Sequence, residues 1–199
     1  MNFLAHSYLS FEDPGLTAGN YLGDFIRNTQ VNALPMSIQR GIRLHRSIDS
    51  YTDHHPSVKE GTKLLHAGFH KYAPVVLDIY FDFLLSKFWA TYDNGSLSGF
   101  CQGVYAVLRD QMEHMPLKLG QRMERMTAAG WLENYQTYDG LQRTFNFLER
   151  RAKFPSNLSK GSELLLPLEA ALGDIFIVFF PDLISFTKEE ITKLDGPFR

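Results

Sequence analysis

Five short stretches of the chain pair polar side chains four residues apart: Asn2 with His6, Asn20 with Asp24, His45 with Asp49, Asp49 with Asp53, and Asp78 with Asp82. On a helix this spacing sets both members on one face, about 5–6 Å apart at Cβ. Histidine and carboxylate so placed are metal ligands or acid–base partners. The last pair is the most telling. Asp78 and Asp82 lie within residues 74–85, a segment apolar nearly all round and so expected to be buried. Two buried carboxylates on adjacent turns repel and require a cation, of which a bound metal is the simplest. The set holds His, Asp and Asn but no cysteine. Such hard oxygen and imidazole ligands suit Mn²⁺, Mg²⁺ or Fe²⁺ better than structural Zn²⁺.

Helices must position these groups. The pattern predicts helices over about 2–10, 16–27, 35–54, 57–68, 72–92, 97–113, 118–129, 138–152, 162–180 and 182–193, with Asp13-Pro14-Gly15, His55-Pro56-Ser57 and Asp93-Asn94-Gly95 as breaks. Ser37 is a candidate N-cap for the third. At about 100° per residue, Ile38, Ile42, His45, Asp49 and Asp53 fall on one stripe of that helix. The stripe begins apolar and ends as His, Asp, Asp, which is how a cavity wall reads. In the fifth helix Asp78 and Asp82 line up with Val75, Leu85 and Trp89, so both helices aim carboxylates inward. Strand signals are poor, and residues 1–199 read as a single all-helical domain, with residues 153–162 as a surface loop.

Plainer readings compete at each position. A lone aspartate is more often an N-cap or an ion-pair partner, and Asp53 could start a helix. Arg43 and Arg46 could pair with Asp49 and Asp53 along a helix surface. His54, His55, His66, His70 and His114 read as surface residues. His66 and His70 share metal-compatible spacing but lack an acidic companion. Number shifts the balance: one such pair is common, five over a few helices are not.

Composition sets outer bounds. With 199 residues and 44% hydrophobic content the chain can bury a sizeable core. A net charge of −2 gives no global case for nucleic acid, so any docking of an anionic partner needs a local basic patch. The single cysteine, Cys101, excludes an internal disulfide and suits a reducing compartment. No apolar run reaches the roughly 18 residues of a membrane span, and the first residues lack a basic leader. The expectation is a soluble cytoplasmic protein that binds neither membrane nor nucleic acid.

The motifs Asn2-Phe3-Leu4-Ala5-His6, Gly19-Asn20-Tyr21-Leu22-Gly23-Asp24-Phe25, residues 41–53 and Leu77-Asp78-Ile79-Tyr80-Phe81-Asp82 resemble the acyl carrier protein phosphodiesterase family. The similarity is in order and evenly spaced over the first 90 residues, then weaker to about Arg151. It implies a helical bundle related to the HD-type metal phosphohydrolases. It also implies a cytosolic, divalent-metal enzyme of fatty acid biosynthesis, typically using Mn²⁺. Its reaction would be hydrolysis of the phosphodiester joining 4′-phosphopantetheine to a serine of holo-acyl carrier protein, an acidic partner. Two departures stand out. His45 and Asp49 are a helical turn apart where HD-type enzymes have adjacent His-Asp, and Phe83 follows Asp82 where some relatives have histidine.

Together the residue types and the resemblance assign His6, Asp24, His45, Asp49 and Asp82 to binding or orienting the metal. Asp53 and Asp78 become base or outer support, and Arg46 the phosphate contact. Docking would use Arg40, Arg43, Arg46, Lys59 and Lys63. Two other readings stay open: a phosphohydrolase of nucleotides or small phosphate esters, and a non-catalytic helical module whose buried acids form structural ion pairs.

Overall fold

The computed structural model describes residues 1–194, which form a single all-helical domain. The last predicted helix, over 182–193, falls inside it. Among the described residues there are twelve α-helices, short 3₁₀ turns and no strand. Those that position the acids are α1 (Phe3–Tyr8), α2 (Pro14–Gly23), α4 (Met36–His54) and α6 (Ala73–Lys87). The others are α3 (Asn28–Val31), α5 (Pro56–Phe69), α7 (Trp89–Tyr92), α8 (Leu97–Asp110), α9 (Leu117–Ala128), α10 (Tyr138–Glu149), α11 (Gly161–Leu165) and α12 (Glu169–Leu194).

Local chemistry explains the ends. Asp13 accepts the Leu16 N–H at 2.8 Å, and Pro14 occupies the first turn of α2, where its missing N–H costs nothing. α4 follows Pro35, whose side chain makes no capping bond; Ser37 lies inside the helix and is not its cap. Asp53 starts no helix either, since the N-cap of α5 is His55, whose ring accepts from the Ser57 N–H at 3.3 Å. His55 is also half-buried against Tyr51 and Phe179 and is no surface residue. The predicted helix over 72–92 is interrupted at Phe88, and a short α7 (Trp89–Tyr92) follows.

Pro181 does not separate two helices but sits within α12. The ring and Ile177, whose carbonyl loses its partner, are both exposed, so water can serve the freed group. By length and composition alone the helical stretch Leu158–Leu194 is apolar enough to cross a membrane, although Glu169, Asp174 and Asp182 break its apolar run. Its inner residues Leu172, Phe176, Phe179, Phe180 and Leu183 lie in the core against Phe81, Phe88 and Tyr92, a burial that accounts for much of its apolar content.

The contact that sets the site is between α2 and α4. A Cβ on Gly19 would stand 2.4 Å from the Gly41 Cα and 2.4 Å from the Ile38 carbonyl oxygen. The two backbones therefore touch, and only glycine on both sides permits it. This close approach brings the C-terminal end of α2, with Asp24, alongside the polar turns of α4.

Candidate metal centre

His6, His45 and Asp49 meet at one point, their candidate ligand atoms all within 4.8 Å of one another. His6 Nε2 lies 3.1 Å from Asp49 Oδ1, and His45 Nε2 lies 3.1 Å from Asp49 Oδ2. His45 Nε2 is also 3.4 Å from Asp24 Oδ1. The two imidazoles stack with centroids 4.2 Å apart. Both histidines are buried while Asp49 and Asp24 are partly open to solvent, so the centre has a dry wall and a wet mouth.

The ring of His6 is held in one tautomer. Asn20 donates through its amide nitrogen to the His6 carbonyl at 3.1 Å and to Ser10 Oγ at 2.8 Å, which leaves its Oδ1 facing His6 Nδ1 at 3.2 Å. Nδ1 must then carry the proton. Burial and the neighbouring His45 charge lower the His6 pKa and favour the neutral ring. Its Nε2 lone pair thus faces a carboxylate oxygen at 3.1 Å. Two acceptors that close need a proton or a metal ion between them. The spacings fit an ion: ligands roughly 2.1 Å from one cation at 90–110° lie about 3.0–3.4 Å apart. The residues present therefore fit a divalent cation.

Electrostatics agree. Burial opposes charge on His45, but hydrogen bonds to Asp24 and Asp49 outweigh it and hold the ring up to about 9. Burial would raise Asp49, yet the hydrogen bond from His45 holds it well below the usual carboxylate range. Without metal the centre is a protonated His45 clasped by two acids. Its Nδ1 is buried with no hydrogen-bond partner.

The remaining expected residues divide. Asp82 is fully buried and stands apart from the cluster: its Oδ2 accepts the Leu4 N–H at 2.8 Å and its Oδ1 the Ala5 N–H at 3.1 Å. Expected as a metal ligand, it instead caps the first turn of α1, and it reaches the centre through His6 on that helix. Asp78 meets a cation, as expected of a crowded acid, but that cation is the Met1 α-amino group at 3.0 Å. The same amine is 3.9 Å from Asp49 Oδ1. Asp53 lies one turn beyond Asp49, exposed, with its pKa raised by burial and by Asp78. Arg46 is exposed on α4 and does not line the groove that opens beside Asp24 and Asp78.

Two contributors escaped the sequence reading. In the sequence Asn20 reads as half of a spacing and as a hard ligand type, not as the group that fixes His6. Gly23 was seen only as part of a motif, yet a Cβ there would lie 2.3 Å from His45 Cγ and 2.4 Å from Cδ2. Gly23→Ala is expected to push the imidazole off Asp24 and Asp49 and to weaken divalent-metal binding at least tenfold, because an ångström of misplacement is costly at such a centre. Calorimetric titration of metal into wild type and variant measures this; equal affinities would show that His45 is not held by that contact.

With this geometry in view, comparison with known proteins is specific. The family model for acyl carrier protein phosphodiesterase matches residues 1–183. A protein of Enterobacter sp. (strain 638) named acyl carrier protein phosphodiesterase is 30% identical over 191 residues, 96% of this chain and 99% of its own. One of the same name from Yersinia pestis is 29% identical over 189 residues, 92% and 96% of the two chains. One from Salmonella dublin is 30% identical over 152 residues, 76% and 79%. No solved structure matches the chain. The match spans every helix that contributes to the centre, and the chain belongs to the acyl carrier protein phosphodiesterase family.

Proposed function

We propose that this protein is a cytosolic, divalent-metal-dependent hydrolase that removes 4′-phosphopantetheine from holo-acyl carrier protein. The observation that carries the metal is the neutral His6 lone pair facing Asp49 at 3.1 Å beside His45. Family membership supports the substrate.

His6 Nε2, His45 Nε2 and an Asp49 oxygen would hold the ion, with Asp24 close enough to join them or to steady His45. Manganese or another hard divalent ion suits these donors. When bound, such an ion polarises a phosphoryl oxygen and lowers the pKa of a neighbouring water. Asn20 keeps His6 in the ligating tautomer, a role that typically sharpens metal affinity. Asp53, with its raised pKa and its place one turn from Asp49, takes the proton from the attacking water. Asp78 holds the cavity wall through the Met1 amine. Water adds to phosphorus, the bond from phosphorus to the serine oxygen breaks, and the serine oxygen takes up a proton. The products are the apo carrier and phosphopantetheine.

Intact-protein mass spectrometry of holo-acyl carrier protein incubated with the enzyme and Mn²⁺ tests the reading. The expected result is loss of the phosphopantetheine mass, abolished by EDTA and restored by added metal. Intact holo protein across Mn²⁺, Mg²⁺ and Fe²⁺, with small phosphodiesters cleaved, would assign the centre to a different phosphate ester.

A further inference from the structure

A groove of ≈ 740 Å³ begins at Asp24 and Asp78, beside the metal centre, and runs out between α6, α9 and α10. Four arginines line it: Arg122 and Arg125 on α9, Arg143 on α10, and Arg151 just past it. None has a carboxylate within ion-pair distance among the described residues. Arg122 lies over the Phe25 ring at 4.5 Å and Arg151 over the Phe147 ring at 4.6 Å, while Arg143 donates to Asn134 Oδ1 at 3.0 Å. Arg125 is exposed. Stacked guanidiniums lose little entropy on pairing and suit bidentate carboxylate recognition. Between them the floor is apolar: Val75 is 44% and Phe147 49% exposed, unusual for side chains of this size. In a chain of net charge −2 this is a local excess of positive charge beside an acidic centre.

Resting on the function proposed above, we infer that this arginine-rimmed groove is where the acidic face of the carrier protein docks, with the arm laid along the apolar floor toward Asp24. A cationic rim needs an anionic occupant, and an apolar floor needs more than a bare phosphate. The basic residues of α4 and α5 expected from sequence do not line this groove.

The test is fluorescence anisotropy of labelled holo-acyl carrier protein with metal-free enzyme in EDTA, where no turnover can occur. Arg125→Glu with Arg143→Glu is expected to weaken binding at least tenfold and to flatten its salt dependence. Arg125→Gln with Arg151→Gln should give a smaller loss of the same kind. Melting temperatures near wild type certify that both variants are folded. Unchanged Kd and salt dependence in either pair, or no binding by wild type, overturns the docking surface. Tighter binding of a single-stranded oligonucleotide than of the carrier also overturns it. The two claims separate cleanly. Wild type that binds the carrier through these arginines but never releases the arm keeps the surface and sinks the proposed reaction; release of the arm with no arginine dependence does the reverse.

Discussion

Each divalent ion taken up near pH 7 is expected to expel about one proton, and metal affinity should rise about tenfold per pH unit until it levels off near pH 9. The source is His45. Hydrogen bonds to Asp24 and Asp49 overcome its burial and hold it up to about 9, so at neutral pH the metal-free ring is charged. A ligating imidazole must be neutral, so metal and proton compete for His45 Nε2. The same shift fixes how the metal-free fold responds to pH. The folded pKa of His45 lies above its unfolded value of 6.5. Its stabilisation is therefore complete below pH 6.5 and lost as pH climbs to about 9, on the order of 3 kcal/mol in all. The melting temperature in EDTA should fall across that window. His6, whose pKa is lowered, acts below it. Titration calorimetry in buffers of different ionisation enthalpy counts the protons. Asp49→Asn should remove most metal binding and activity, since Asp49 joins both histidines, and should weaken the pH dependence to the part that Asp24 alone sustains. Uptake without proton release, or full metal affinity in Asp49→Asn, would move the ion away from this cluster.

The helical periodicity made most of this centre readable in advance. His45 and Asp49 are four apart on one helix, and the apolar stripe that leads into them says which way they face. Their convergence with Asp24 and His6 is a different kind of fact. It depends on α2 and α4 touching at Gly19 and Gly41, and on Gly23 making room for the His45 ring. No local pattern states which glycine faces which helix, so these residues looked like motif rather than mechanism. Asp82 shows the opposite error. Its spacing from Asp78 implied two acids sharing a cation, whereas its oxygens serve N–H groups 77 and 78 residues away in sequence. A tertiary cap of this kind has no signature at the position itself. Pro181 likewise carried a sound local rule that an exposed helix face relaxed. The arginines of α9 and α10 were unremarkable in sequence because only folding gathers them around one groove.

Replacing Asp82 with alanine is expected to destabilise the metal-free protein by roughly 2–6 kcal/mol. The sequence alone pointed the other way, toward relief of repulsion from Asp78. Both oxygens of this fully buried carboxylate accept N–H groups from the first turn of α1. Asn2, the residue at the N-cap of α1, makes no side-chain capping bond there. Alanine leaves both donors unsatisfied in a dry core, and each costs about 1–3 kcal/mol. Asp82→Asn separates charge from hydrogen bonding. Burial pushes the carboxyl up to about 7, against the hydrogen bonds from Leu4 and Ala5, so near neutral pH losing the charge is close to cost-free. The amide keeps one acceptor and turns its NH₂ toward the other donor, which predicts a loss of about 1 kcal/mol. Asp78→Asn, at a third-exposed position, should change stability less than Asp82→Ala. The consequence reaches function through α1, which carries His6. In Asp82→Ala the affinity for Mn²⁺ should fall along with stability, and amide exchange should quicken first over residues 3–8. Urea unfolding in EDTA at pH 7 ranks the variants. A metal-free Asp82→Ala protein as stable as wild type would mean that the carboxylate repels its surroundings and is held there for the metal alone.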